Sequence, residues 1–124
     1  MIVFAFDRDL TVDVNEGPVP LALVRHLAHE TEHEVWATGN QLLKQEAGIP
    51  GITEILARAR AEDYPAPDHC PRVRRLELLY QIFPDADAHI VVDDFCLSAV
   101  EGWLWFDPPV FMSLVDSLKA GAAR

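Results

Sequence analysis

Lysine is the residue this chain most lacks: Lys44 and Lys119 are its only two, against eight arginines and twenty carboxylates in 124 residues. The formal net charge of −10 repels phosphate, and so argues against nonspecific binding to nucleic acid or to an anionic membrane surface. An acidic, lysine-poor composition is also the pattern of proteins from salt-loving organisms, where the charge adapts the surface to solvent. Cysteine is as rare. Cys70 and Cys96 form no CxxC metal site and no disulfide framework, and both read as buried or inert thiols. No apolar run approaches the roughly twenty residues of a membrane helix. The N-terminus does not read as a secretory leader either, because Asp7, Arg8 and Asp9 interrupt the opening apolar run early. The cytoplasm is the expected location. With 50% of its residues hydrophobic and 24% charged, the chain has the composition of one globular domain, 1–124.

What is there is organised around the opening stretch, MIVFAFDRDLTVDV. The apolar run Ile2 to Phe6 ends abruptly in Asp7, with Asp9 and Thr11 at alternate positions. Such a run reads as a buried strand that delivers acids to the edge of a sheet. Two acids one residue apart can supply a nucleophile and a proton donor, and together can hold a hard cation. Thr11 to Val14 alternates and Asn15-Glu16-Gly17-Pro18 turns, which predicts a small flap or hairpin. Pro20 opens a helix with Leu23, Val24, Leu27 and Ala28 on its apolar face, fraying near Glu30. His33 to Ala37 is a second strand, ending at Thr38-Gly39-Asn40. Short helices follow over Leu42 to Ala47, stopped by Gly48, and over Ile52 to Ala61. The proline-rich Glu62 to Pro71 is a loop.

Pro71 suits a first helical position, and Val73, Leu76, Leu79, Tyr80 and Phe83 line one face of the helix that follows. Ala88 to Val92 is a strand ending in Asp93-Asp94, and Trp103 to Phe106 is another, its tryptophans read as core. Asp107-Pro108-Pro109 caps a last helix with Val110, Phe111, Leu114, Val115 and Leu118 on its face. Strands alternating with helices predict an α/β fold with a parallel sheet. His26, His29 and His33 share helical spacing, but the glutamates among them favour a solvated helix end over a zinc site.

Three apolar strands thus end in Asp7 and Asp9, in Thr38, and in Asp93-Asp94, and a parallel sheet brings those ends to one edge. This arrangement resembles the haloacid dehalogenase-like superfamily of phosphatases and phosphotransferases. Its DxDx[TV] motif matches Asp7-Arg8-Asp9-Leu10-Thr11. The strand ending in Thr or Ser matches Val35 to Asn40, and the strand ending in an acidic pair matches Ile90 to Asp94. The resemblance implies a three-layer Rossmann-like domain with a mostly parallel sheet and minimal or no cap. It implies that Asp7 is the nucleophile, forming an aspartyl-phosphate, and that Asp9 is the general acid and base. Mg²⁺ would be held by Asp7, the Asp9 carbonyl, Asp94 and Asp93. Thr38, Gly39, Asn40 and Lys44 are the candidate phosphate contacts.

The family's third motif is a lysine at the head of the helix before the acidic strand, and none is present there. Arg72 has the expected spacing and is the candidate cation, with Arg74, Arg75 and Lys44 as alternatives. Arg75 is also read as pairing with acids on the surface. The expected substrate is a phosphorylated small molecule or a phosphoprotein, with a second copy of the chain able to supply a lid. The missing lysine keeps open a second reading, a domain of this kind that binds or regulates without turnover.

Overall fold

In the computed structural model, which describes residues 1–122, four strands form one all-parallel sheet. They are β1 (Ile2–Phe6), β2 (Glu34–Ala37), β3 (Ala88–Val92) and β4 (Leu104–Phe106), in the order β2-β1-β3-β4. The chain leaves β1 toward one side for β2 and returns to the other side for β3. The carboxyl ends of β1 and β3 therefore flank a topological switch point, where open α/β sheets bind ligands. Register places Phe6 opposite both Ala37 and Val92, and Val92 opposite Phe106. One residue further on, Asp7, Thr38, Asp93 and Asp107 form a row along that edge.

Five helices cover the sheet: α1 (Leu21–His29), α2 (Leu42–Ala47), α3 (Ile52–Ala61), α4 (Arg72–Ile82) and α5 (Pro108–Ala122). Because side chains alternate along a strand, β1 feeds two cores. Val3 and Ala5 pack with residues of α3 and α4, including Ile55, Ala59, Leu76 and Leu79. Phe4 and Phe6 pack with Val24 of α1, Leu43 of α2 and Phe111 of α5. The result is three layers, as expected. Among the described residues no helix is long and apolar enough to cross a membrane.

Several local expectations need correction. The segment after Thr11 is not a hairpin flap. It is a folded loop with a 3₁₀ turn at Asp13–Asn15 and a single parallel bridge between Val12 and Val19, both fully buried. Those two valines belong to the core on the α1 side, and their burial draws the loop down onto the sheet. Pro71 is the residue before α4 rather than its first. On α4 the buried residues are Leu76, Leu78, Leu79 and Ile82, while Val73 and Tyr80 are exposed. On α5, Phe111 is buried and Val110, Leu114 and Leu118 are exposed. Both helices carry apolar residues on more than one side, so spacing alone left their rotation open. For α5 it is set by Phe111, which meets the rings of Phe6 and Phe106 edge-on at 5.8 and 6.3 Å. Cys70 is buried, but Cys96 is exposed on the loop after β3.

Candidate active site

The ends of β1 and β3 carry three carboxylates into one spot. One oxygen each from Asp7, Asp93 and Asp94 lie within 4.8 Å of one another. Asp7 and Asp93 are buried; Asp94 is exposed. Backbone bonds that prolong the ladder hold the first two: Asp7 N–H donates to the Val92 carbonyl at 3.0 Å, and Asp93 N–H to that of Phe106 at 3.3 Å. The Asp93 carbonyl in turn accepts the Trp105 indole N–H at 2.9 Å.

One guanidinium serves this cluster. Arg72, the first residue of α4, places Nη1 at 3.0 and 3.1 Å from the two Asp93 oxygens and Nη2 at 3.8 Å from Asp7 Oδ1. Three acids against one cation leave an excess of negative charge in a partly desolvated place, which is costly. The titration of the acids registers this. Burial, then a hydrogen bond shared with Asp94 and the charge of Asp93, pushes the Asp7 carboxyl up to about 7. Burial also raises Asp93, against the pull of the Phe95 N–H and of Arg72. A donor set made only of carboxylate oxygens fits a hard divalent cation, the class to which Mg²⁺ belongs. Such an ion would offset the excess charge.

Asp9, two residues on, is in a different situation. Its Oδ1 accepts from Arg8 Nη1 and Asn15 Nδ2, both at 2.8 Å, and its Oδ2 from Asn40 Nδ2 at 3.0 Å. Those donors, the two asparagines foremost, hold its carboxyl below the usual range. Arg8 is itself tied to Glu46 at 2.6 and 2.9 Å. The Asp9 side chain is therefore outside the three-acid cluster.

The end of β2 contributes Thr38, Gly39 and Asn40. Thr38 is fully buried, and its hydroxyl has no hydrogen-bond partner among the described residues. Gly39 is required by close approach, since a Cβ there would lie 1.8 Å from Asp7 Oδ1. Asn40 lines the cavity, but both its amide atoms are engaged, the nitrogen with Asp9 and the oxygen with the Leu42 N–H at 3.0 Å.

Of the alternative cations, Arg75 does not pair with surface acids. Its Nη1 donates to the Thr38 carbonyl and its Nε to that of Cys70, both at 2.8 Å, so it ties the β2 end to the loop before α4. Arg74 bonds the Pro65 carbonyl. Lys44 pairs with Glu54 at 2.6 Å and does not line the cavity. The histidines do separate jobs: His26 meets Glu30, His29 the Ala47 carbonyl, and His33 accepts the Ile2 N–H.

Asp7, Asp9, Asp94, Arg72 and Arg75 line a cavity of about 540 Å³ on whose rim Leu10 and Phe95 also stand. A hollow of similar size, about 530 Å³, lies along α4 beside Val73, Tyr80 and Val100. Asp7 and Asp94 of the cluster line the first, and none of the three acids lines the second. Comparison with protein-family models, with curated proteins and with solved structures finds no match to this chain.

Proposed function

We propose that the protein is a Mg²⁺-dependent phosphatase working through an aspartyl-phosphate at Asp7. The observation that carries this reading is the buried Asp7, which shares a 4.8 Å cluster with Asp93 and Asp94 and has Arg72 at 3.8 Å. Asp7 attacks phosphorus; a new Asp7 Oδ–P bond forms, the ester P–O bond breaks, and the electron pair leaves with the alcohol oxygen. Water then cleaves the acyl phosphate and regenerates the carboxylate. Asp7, Asp93 and Asp94 would hold a divalent cation, which would supply positive charge to offset that of the carboxylate and the phosphate. Arg72, already bridging Asp7 and Asp93, takes the place of the lysine found in the resembling family, and its planar fork suits two phosphoryl oxygens.

Asp9 is the candidate proton donor and acceptor. Three donors now favour its ionised form, so it gives up a proton only after one of them moves or a bound phosphate raises its affinity for protons. Among the described residues, the chain segments on either side of β2 hold a folded loop and α1, α2 and α3 and no separate cap domain. The open cleft suits a phosphorylated small molecule or a phosphoprotein.

The engagement of Asp9 also favours a second reading, a cation-dependent binding domain without turnover. The test is hydrolysis of a generic aryl phosphate with and without Mg²⁺, at low and high salt, by the wild type and by Asp7→Asn. Mg²⁺-dependent turnover lost in the variant supports the enzyme. Mg²⁺ binding without turnover in the wild type supports the binder.

A further inference from the structure

Two large apolar side chains stand on the rim of the acidic cavity, where water is the default neighbour. Leu10 is 52% exposed and Phe95 64% exposed, and both line the cavity that holds Asp7, Asp94 and Arg72. Neither belongs to either core cluster. The backbone puts them there. Leu10 has φ of 60°, a left-handed conformation that disfavours any side chain with a Cβ, and its N–H donates to the Asn15 carbonyl at 2.9 Å. Phe95 directly follows Asp94, and its N–H donates to Asp93 Oδ1 at 2.9 Å. An exposed leucine in left-handed backbone and an exposed phenylalanine tethered to a buried acid, both lining one cavity, leave apolar area in water that an apolar group resting there would remove.

We propose, resting on the phosphoryl reading above, that the site takes phosphate monoesters of aromatic alcohols, with Phe95 and Leu10 as the shelf that receives the leaving group. The phosphate belongs with the acids, their cation and Arg72, so the ester arm must leave toward the rim. Among the described residues, this rim is the exposed apolar surface that lines the cavity. An aryl group gains there by ring–ring contact and by removal of apolar area from water, whereas a polyol arm gains neither. A neutral aromatic arm also escapes the repulsion that a chain of net charge −10 exerts on polyphosphates and nucleic acid. The chemistry is that given above, with the breaking P–O bond leaving its electron pair on a phenolic oxygen.

The test has a binding arm and a turnover arm. Calorimetry in the presence of Mg²⁺ compares phenylphosphonate with methylphosphonate, neither of which has an ester bond to hydrolyse. We expect the wild type to prefer the phenyl compound roughly tenfold, and the preference to collapse toward unity in Phe95→Ala combined with Leu10→Gly. Both positions are solvent-facing and glycine relieves the positive φ, so the double variant folds. Equal binding of the two compounds by the wild type, or an unchanged preference in the variant, overturns the proposal. The turnover arm compares kcat/KM for phenyl phosphate, a phosphotyrosyl peptide and glycerol phosphate. Equal efficiency on all three overturns the shelf and leaves the phosphatase reading standing. A phenyl preference in binding with no hydrolysis of any ester keeps the shelf as a binding surface and removes the phosphatase.

Discussion

The two acids of the DxD stretch line one cavity in contrasting surroundings. Around Asp9 every charge has its answer: two asparagines and an arginine reach one carboxylate, and that arginine is itself anchored by Glu46. Around Asp7 the charges are unbalanced: among the described residues, three acids share one paired arginine. The first region is a finished network that fixes the loop after β1. The second resists ionisation, and added positive charge would favour its ionised form. On the phosphoryl reading proposed above, the contrast separates an acid held ionised by its donors from the acids proposed to bind a cation and react. It also bears on the leaving group: with Asp9 held as an acceptor, phenoxides, which depart readily as anions, are better suited than alkoxides.

The largest effect is expected from removing Arg72, the arginine that pairs with Asp93 and Asp7. Arg72→Ala should lower kcat/KM by well over tenfold, a loss above about 1.4 kcal/mol of transition-state stabilisation. It should also lower stability by about 2 kcal/mol in urea titrations, because Asp93 keeps its burial and loses its partner. Arg72→Lys should recover part of the activity. Lys44→Ala should change kcat/KM less than about twofold, since that lysine is spent on Glu54; a larger fall would move the cation to α2.

A second prediction concerns pH. Asp7 has its carboxyl raised from 3.8 to about 7, so between those values the folded protein keeps a proton that the unfolded chain has lost. Metal-free stability therefore declines as pH rises through that window, and Asp93, also raised, acts in the same direction. Thermal melts should show the decline in the wild type and a weaker one in Asp7→Asn. Mg²⁺ should raise Tm more at about pH 8 than at about pH 5, where protons compete for the same oxygens. That gain should be much smaller in Asp94→Ala. An equal gain in both proteins would remove Asp94 from the site.

Much of this was legible in the sequence because each strand stops where its apolar run meets an acid or a threonine, and a parallel sheet converts three such stops into one place. The spacing from Arg72 to the acidic pair likewise led to the arginine that the fold brings in. What stayed hidden depends on contacts with no periodic signature. Asn40 reaches Asp9 across thirty-one positions, and Trp105 supports the Asp93 carbonyl through an indole that reads simply as core. Arg75 bonds backbone carbonyls, which no charge pattern reveals. The rotation of α4 and α5 was hidden for another reason, since both are apolar on too many sides. Phe95 had a signal, its place directly after the acidic pair, that points to the rim.

The smallest expected effect belongs to the finished region. Asn15→Ala removes one of three donors to Asp9 and should cost about 0.5–1 kcal/mol of stability, while raising the Asp9 carboxyl toward its ordinary value. If Asp9 moves a proton, the pH profile of kcat should shift upward with it. A profile that does not move would leave Asp9 purely structural.

The measurement closest to the central claim is chemical capture of the acyl phosphate. Protein turning over an aryl phosphate with Mg²⁺ is quenched with borohydride, which reduces an aspartyl-phosphate to homoserine, and the site is read by peptide mass spectrometry. The account predicts homoserine at position 7, dependent on both substrate and Mg²⁺, and none at Asp9, Asp93 or Asp94. Phosphate release with Asp7 recovered unreduced would contradict it.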